Sequence, residues 1–327
     1  MQKLILGIAC AVLPWLGGVS FAQSTPPLPS IDSIEVKAGV WMLRTNSHVG
    51  NSTVVAVIDG KKAALLDVGM SFTARQLRSW LEQHGVSELV FAASSHHHAD
   101  HTDGLAYLAE WAKPIFVTSH RQYERLLPAA TKPVPWPGLP ALGLPTLTVR
   151  GGESLRLGPH EIRIDVVPAR RSHTDGDLIF DIDNGAVRYI GDHLFVDRYP
   201  VIDMEGGADL YGYIRTIDCI VKSSRVDAVI VPGHALFAPQ PLASASPAQL
   251  AAWRGRLLDS IDEIRAMKAR GADIEAAKAA GLPAKFAALV EKPFFVRESR
   301  WIETVYDALD AHQNMDAQCE AGRQEGR

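Results

Sequence analysis

Cysteine is scarce in this chain, at three residues of 327. Only Cys219 and Cys319 lie beyond the first 22 residues, and Cys319 lies in a polar tail. The pair allows one disulfide at most, whereas small disulfide-framed domains need several bridges at close spacing. The scarcity therefore excludes a fold that is held together chiefly by disulfides.

An excess of basic charge is lacking as well. Lys and Arg contribute 33 side chains against 37 from Asp and Glu, which gives a net charge of −4. Proteins that bind nucleic acid or an anionic membrane surface carry a basic footprint. Neither is therefore expected as a partner, and the sequence leaves the oligomeric state open.

A membrane-spanning apolar run is also missing. The candidate, Leu4–Val19, is broken by Pro14 and glycines and falls short of the ~20 residues that a spanning helix needs. Lys3 precedes this run and the segment Ser20-Phe21-Ala22 follows it, a pattern typical of a secretory signal peptide. Residues 1–22 are therefore predicted to be cleaved after export, which leaves a periplasmic or secreted protein with no membrane attachment.

Strand-like and helical patterns alternate over residues 23–245. Short apolar runs occur between Ile34 and Val68 and again between Thr146 and Val231, with helical spacing in segments such as Phe72–His84. The first run, Ile34–Leu43, is predicted to be one strand. Two similar halves of this kind favour two sheets packed face to face with helices outside. The expected fold class is therefore α/β, a four-layer αββα sandwich.

The pattern becomes helical at residue 246. Ser246-Pro247-Ala248-Gln249 combines an N-cap, a proline at the first helical position and a glutamine at the capping-box position. An apolar stripe at helical spacing then runs from Trp253 to Ile264, and a further helix is expected over Ala284–Glu291. Residues 246–327 are therefore predicted to form a helical C-terminal extension, packed on the core and ending in a polar tail.

Residues 128–145 contain six prolines and Trp136. A loop of this length inside a compact domain is usually functional or disordered. Two interpretations stay open: a passive surface connection, or a flap that contacts substrate.

The segment His96-His97-His98-Ala99-Asp100-His101 is the most informative part of the chain, because its His-x-His-x-Asp-His pattern holds four metal-ligating side chains in six residues. It follows the apolar run Leu89–Ala93, which is predicted to be a buried strand. Imidazole and carboxylate groups at this density suit zinc or a similar first-row divalent ion. The alternative is a solvated, histidine-rich loop.

Three further residues that ligate metals each follow a strand signal. His173 begins the segment His173-Thr174-Asp175-Gly176-Asp177, Asp192 follows Tyr189-Ile190-Gly191, and His234 ends Pro232-Gly233-His234. Strand ends in α/β proteins commonly carry the functional groups. These residues therefore complete a candidate metal site.

The order of these motifs resembles that of the metallo-β-lactamase-fold superfamily, over roughly Ser33 to Leu236. Within it, Asp192–Gly207 and the stretch from Gly281 to Tyr306 are similar to exported hydrolases associated with quinoprotein and sulfur-oxidation systems. The resemblance implies one metal on three histidines, a second metal on an Asp-His-His set, and a bridging aspartate. In this chain the three sets are His96, His98 and His173; Asp100, His101 and His234; and Asp192.

The resemblance also implies roles for individual residues. Asp67, in Leu65-Leu66-Asp67-Val68-Gly69, matches an aspartate that orients a ligating imidazole, although a plain turn aspartate is the alternative. The cofactor implied is a pair of Zn²⁺ ions, with iron or manganese as other options. Asp100 and Asp192 would serve as catalytic residues together with a metal-bound hydroxide.

The function that the resemblance implies is that of a dinuclear zinc-dependent hydrolase. A metal-bridging hydroxide would attack a small ester, thioester, lactone or related substrate. A β-lactamase is one alternative, but classical members replace the bridging aspartate, and one group carries a lysine where this chain has Phe195. An iron-dependent sulfur oxygenase on the same fold is the other. Because all seven ligands are present, a non-catalytic binding module is disfavoured.

Overall fold

The computed structural model describes residues 29–47, 50–131, 143–167, 169, 171–236, 240–289 and 296–310. The predicted signal peptide, most of the proline-rich segment and the polar tail lie outside these residues. Twelve strands are present in the described part of the chain: β1 (Ser30–Lys37), β2 (Val40–Ser47), β3 (Gly50–Asp59), β4 (Lys62–Leu66), β5 (Glu88–Ala93), β6 (Ile115–Ser119), β7 (Leu147–Val149), β8 (Glu153–Leu157), β9 (His160–Val166), β10 (Leu178–Ile182), β11 (Val187–Tyr189) and β12 (Val229–Val231).

The same residues include eight α-helices: α1 (Ala74–Gln83), α2 (Ala99–Thr102), α3 (Leu105–Ala112), α4 (His120–Thr131), α5 (Leu210–Ser223), α6 (Pro247–Ala269), α7 (Ile274–Ala280) and α8 (Glu298–Asp310). Three short 3-10 helices are Ser71–Thr73, Gly191–His193 and Ala284–Leu289. Among the helices of the described residues, none combines the length and apolar character needed to cross a bilayer.

The strands form two sheets that follow chain order closely. The first sheet has the order β1-β2-β3-β4-β5-β6-β7, antiparallel as far as β4 and parallel from β4 to β7. The second has the order β12-β11-β10-β9-β8, with β12 parallel to β11 and the remaining pairs antiparallel. The predicted arrangement of two halves, each with its own sheet, is therefore confirmed.

Three apolar clusters separate the layers. The middle cluster joins side chains of both sheets, among them Val55, Leu66, Phe180 and Tyr189. A second cluster packs α1 and α3 against the outer face of the first sheet, and a third packs the later helices against the outer face of the second sheet. The layers therefore run α, β, β, α, as predicted.

One predicted strand is wrong in its extent. The run Ile34–Leu43 is divided between β1 and β2, which form an antiparallel pair around a turn at Gly39. Gly39 has a φ of +75°, and a Cβ there would lie 2.7 Å from Nε2 of His160. The apolar pattern continues through the turn, so alternation alone could not locate it; the glycine marks it.

The helices after residue 246 share the core of the second sheet. The predicted capping box at Ser246 is confirmed, because the Ser246 hydroxyl accepts from the Gln249 amide and the Gln249 side chain accepts from the Ser246 amide. Trp253 and Trp301 are buried in the same cluster as strand residues such as Ile230. The predicted helix Ala284–Glu291 is a 3-10 helix that ends at Leu289, and Glu291 lies outside the described residues. This region is therefore the outer helical layer of the sandwich.

Trp301 joins α8 to two other parts of this layer. It is fully buried, its ring stacks on Tyr199 at 5.2 Å between centroids, and its indole N–H donates to the Ser260 hydroxyl at 2.9 Å. We expect Trp301→Ala to lower the free energy of unfolding by about 3–5 kcal/mol, because it empties a large core volume.

Chemical denaturation of the purified protein checks this value. Val226→Ala is the matched control, since Val226 is 94% exposed and surface truncations usually change stability by less than about 0.5 kcal/mol. Equal unfolding midpoints for the two variants would contradict the assignment of α8 to the core.

Candidate metal centre

The candidate ligands come from four loops at one edge of the sandwich. The segment from His96 to His101 follows β5 and runs into α2, and His173 lies between β9 and β10. Asp192 lies just after β11, and His234 lies just after β12. Residues far apart in sequence therefore meet because their strands end at the same edge.

His96, His98 and His173 form the first donor group. Nδ1 of His98 lies 3.0 Å from Nε2 of His96 and 3.2 Å from Nε2 of His173. Rings with these nitrogens facing one another at such distances favour a shared cation, since neutral imidazoles ligate divalent metals through their lone pairs.

Asp100, His101 and His234 form the second donor group. Oδ2 of Asp100 lies 3.5 Å from Nε2 of His101 and 3.3 Å from Nε2 of His234. Their ligand atoms, like those of the first group together with Asp192, lie within 4.8 Å of one another. The family resemblance seen in the sequence predicted the same division of the seven residues.

The carboxylate of Asp192 lies between the two groups. Its Oδ2 is 3.4 Å from Nε2 of His173 and 3.2 Å from Nε2 of His234, and its Oδ1 is 3.4 Å from Nε2 of His101. His96 lies slightly farther away, at 3.8 Å from Oδ2. One carboxylate therefore faces nitrogen donors of both groups.

Two buried atoms of the centre test whether a metal would fit. Nε2 of His101 and Oδ1 of Asp192 are buried and make no hydrogen bond within the described residues, although they lie at ion-pair distance from each other. Such orphaned polar atoms are costly unless an ion or water satisfies them. Nitrogen and carboxylate oxygen are ligand types that zinc accepts. The donor set therefore fits one or two divalent ions.

Each of the five histidines uses its other ring nitrogen for a hydrogen bond. Such partners fix the ring orientation and leave the ligating nitrogen free of a proton. His96 contacts the Ser95 hydroxyl at 3.0 Å, His98 contacts the Asp203 carboxylate at 2.8 Å, and His101 contacts the Asp67 carboxylate at 2.6 Å. His173 contacts the Val201 carbonyl at 2.9 Å, and His234 contacts the Asn51 carbonyl at 2.5 Å.

Asp67 is fully buried and accepts four hydrogen bonds. The Ser95 amide and hydroxyl donate at 2.6 and 2.7 Å, the His101 ring contributes the contact already described, and the Tyr189 hydroxyl donates to Oδ2. The residue has a φ of +59°, a conformation that costs energy in a side chain other than glycine. These contacts fit the predicted orienting role and not that of an exposed turn aspartate.

Glycine is required where the chain passes closest to the carboxylate. A Cβ on Gly233 would lie 2.1 Å from Oδ1 of Asp192. A Cβ on Gly191, whose φ is +51°, would lie 2.9 Å from the Ser95 hydroxyl. A side chain at Gly233 would therefore displace the Asp192 carboxylate, and one at Gly191 would displace the Ser95 hydroxyl that contacts His96.

Charge is distributed unevenly over the centre. In the first donor group burial is outweighed at His98, whose pKa is raised by the hydrogen bond to Asp203 and by nearby carboxylates, whereas the other two histidines have lowered values. Burial, reinforced by neighbouring imidazoles, holds the pKa of His96 well below its ordinary value, and burial lowers the pKa of His173 to about 4. In the other group burial is outweighed by carboxylates, which raise the pKa of His101 to about 9 and that of His234 to about 10. At Asp192 burial would raise the pKa, but the nearby histidines outweigh this effect and hold the pKa of the carboxyl below its ordinary range.

Sequence reasoning missed Asp203, which has no motif around it except Gly206-Gly207. Its carboxylate contacts His98 and lies 3.8 Å from Nε2 of His97. Two histidines outside the candidate site also have defined surroundings: His160 is buried against Asp183, and His84 is half-buried and stacks on the Trp80 ring.

The comparisons with known proteins agree with this geometry. The family model described as the metallo-beta-lactamase superfamily matches residues 46–234. Among curated proteins, no relative matches the chain.

Solved structures resemble the chain at low sequence identity. A beta-lactamase domain protein from Burkholderia ambifaria aligns with a TM-score of 0.57 and 18% identity, covering 76% of this chain and 82% of that one. The DIM-1 metallo-beta-lactamase, in a crystal exposed to ceftazidime, aligns with a TM-score of 0.55 and 18% identity, covering 70% and 97%. A metallo-beta-lactamase from Pontibacter korlensis aligns at 0.54 and 16%, covering 69% and 98%. At these identities the likeness extends to the fold alone.

The pKa values predict how the stability of the metal-free protein depends on pH. His101 and His234 have folded-state values of about 9 and 10, above the ordinary value of about 6.5. Their contribution to stability is complete below pH ~6.5 and is lost as the pH rises through 9 and 10. We therefore expect the free energy of unfolding to fall between pH 7 and 10.

Urea unfolding of the metal-free protein across this range measures the fall, and His234→Gln should make it shallower. With zinc in excess the trend should reverse, because zinc competes with protons for these nitrogens. A fall of the same size in His234→Gln would contradict the prediction.

Proposed function

Because this chain belongs to the metallo-beta-lactamase superfamily and is a metal-dependent hydrolase, we propose that its centre holds two zinc ions bridged by Asp192. The observation that carries this proposal is the position of the Asp192 carboxylate, whose two oxygens face nitrogen donors of both groups. A single-metal site would leave a second set of buried donor atoms, which includes the orphaned Nε2 of His101, without an ion to satisfy it.

Zinc ions held by these seven residues would supply hydroxide at neutral pH and would polarise the oxygen of the substrate bond to be broken. The side chains of the centre hold the donors in place. Asp67 fixes His101, backbone carbonyls fix His173 and His234, and the buried surroundings strengthen the electrostatic interactions. No protein nucleophile is needed for the hydrolysis.

The substrate class that we propose is a small ester, thioester, lactone or related molecule. β-Lactam hydrolysis is the second candidate, since several structural neighbours are named metallo-beta-lactamases. It is disfavoured because Phe195, at the position where one group of such enzymes has a lysine, is fully buried and stacks on His234 at 5.4 Å between centroids. This side chain offers no cation to a substrate carboxylate.

Iron chemistry on the same fold is a third candidate. His98 supplies an imidazole where di-iron reductases of this fold carry glutamate, and five of the six non-bridging ligands are histidines. Nitrogen-rich sets suit zinc as well as iron. Metal analysis of protein purified without added metal decides between them.

The Asp192→Asn variant tests the bridging role. An amide cannot compensate the charge of two cations as a carboxylate does, so we expect loss of at least one zinc ion per chain. Turnover should fall by more than the about 10- to 100-fold typical of residues that only orient a ligand. Asp227→Asn, which changes an exposed aspartate paired with Arg225, is the control.

The measurement combines elemental analysis with a panel of ester, thioester, lactone and β-lactam substrates. Two zinc ions in Asp192→Asn with wild-type turnover would reject the bridging assignment. One iron ion per chain in the unaltered protein would favour the oxygenase alternative. Preference for the β-lactam over every ester and thioester would favour the second candidate.

We further propose that the protein is exported and cleaved after Ala22. The basic residue Lys3, the short apolar run and the small residues before the cleavage point support this. N-terminal sequencing of the exported fraction should begin at or near Gln23, and an intact Met1 in soluble cytoplasmic protein would oppose export.

A further inference from the structure

His98 is reversed relative to the other four histidines of the centre. It presents Nδ1 to its neighbours, at 3.0 Å from Nε2 of His96 and 3.2 Å from Nε2 of His173. The other four present Nε2 and bond outward through Nδ1. A reversed ring needs a partner at Nε2, because a proton on Nδ1 would block the ligating lone pair.

We propose that Asp203 is the positioning residue for His98: its Oδ2 accepts the Nε2–H hydrogen bond at 2.8 Å and thereby selects the tautomer whose Nδ1 faces the metal. This inference rests on the proposed metal centre and adds to it a residue outside the seven ligands. Oδ2 of Asp203 is close enough for a direct hydrogen bond, and the bond fixes both the rotation and the protonation of the ring.

The turn that carries Asp203 is built around its carboxylate. The Gly206 amide donates to Oδ1 of Asp203 at 2.8 Å, which occupies the oxygen that His98 does not use. A Cβ on Gly206 would lie 1.9 Å from Oδ2 of Asp203 and 3.1 Å from Cε1 of His97. Gly207 adopts a φ of +82°. The glycine pair therefore lets the backbone close tightly over the carboxylate.

The same turn is joined to the loop that carries His173. The Asp203 amide donates to the His173 carbonyl at 3.2 Å, and the Asp175 amide donates to the Gly206 carbonyl at 3.0 Å. The Val201 carbonyl accepts from Nδ1 of His173 at 2.9 Å. Residues 201–207 therefore hold two of the three histidines of the first donor group, one through the backbone and one through Asp203.

A third metal ion is the competing interpretation, since His97, His98 and Asp203 also bring ligand atoms within 4.8 Å of one another. The geometry favours a hydrogen bond. Oδ2 of Asp203 is at hydrogen-bond distance from Nε2 of His98 but 3.8 Å from Nε2 of His97. A metal on Nε2 would also require His98 to lose both ring protons, which neutral imidazole chemistry does not provide.

The test compares Asp203→Ala with Asp203→Asn and uses Glu205→Gln as the control. Asparagine keeps an oxygen that can accept from His98, whereas alanine removes it. Glu205 is an exposed carboxylate of the same turn, so its variant reports any general effect of charge. Cobalt(II) titration, followed by visible absorption, gives the dissociation constants of both sites without substrate, and denaturation midpoints show that each variant is folded.

Asp203→Ala should weaken one of the two cobalt sites by about 10- to 100-fold, while Asp203→Asn and Glu205→Gln should stay within a few-fold of the unaltered protein. Long-range ¹H–¹⁵N spectra of the zinc-loaded protein should show one cluster histidine protonated at Nε2 and four at Nδ1. The Nε2–H signal should weaken or disappear in Asp203→Ala.

Three results would overturn the proposal: unchanged cobalt affinity in Asp203→Ala, equal losses in Asp203→Asn and Asp203→Ala, or a His98 ring protonated at Nδ1. A third metal equivalent that Asp203→Ala loses would show that Asp203 is itself a ligand. Because these readouts need no substrate, they separate this inference from the proposed hydrolysis. A protein that binds two metals normally yet cleaves nothing would contradict only the hydrolysis.

Discussion

The two sheets and the candidate metal centre meet at one buried carboxylate, that of Asp67. It accepts from Tyr189 at the end of β11, from Ser95 after β5 and from the ring of His101. A buried carboxylate is stable only when such donors surround it, and removing one donor leaves a costly charge. The packing of one sheet on the other at this point and the direction of the His101 ring therefore depend on the same set of contacts.

The two donor groups differ in charge, and this difference follows from their neighbours. Three imidazoles crowd together in the first group, so burial keeps His96 and His173 neutral and ready to ligate. Around the second group, the carboxylates of Asp192 and Asp100 outweigh burial and favour protonated His101 and His234 in the metal-free protein. A metal entering the second group must displace protons, whereas His96 and His173 present lone pairs already. The two halves of one centre are thus unequal before any metal binds.

Much of this architecture could be predicted from the sequence. Each ligand loop follows a strong strand signal, and four consecutive residues carry the capping box of α6, so the layers and the helical end follow from local patterns. The division of the ligands into two donor groups was implied by the family resemblance. The alternation of apolar residues does not reveal the turn at Gly39, although its glycine marks it. The role of Asp203 could not be predicted, because it depends on a residue distant in sequence: the His98 ring, more than a hundred residues away. Periodicity identifies elements, but it does not identify the partners that orient a side chain.

The C-terminal helices are connected by hydrogen bonds to the neighbourhood of the candidate metal centre. The indole N–H of Trp253 in α6 donates to the Arg198 carbonyl at 3.0 Å. The Arg198 guanidinium donates in turn to the Ala235 carbonyl at 2.9 Å, next to His234. Two hydrogen bonds therefore connect the outer helical layer with the residue that follows His234. The segment after Asp192 thus contacts the helical layer through Arg198 and the candidate ligands through Val201 and Asp203.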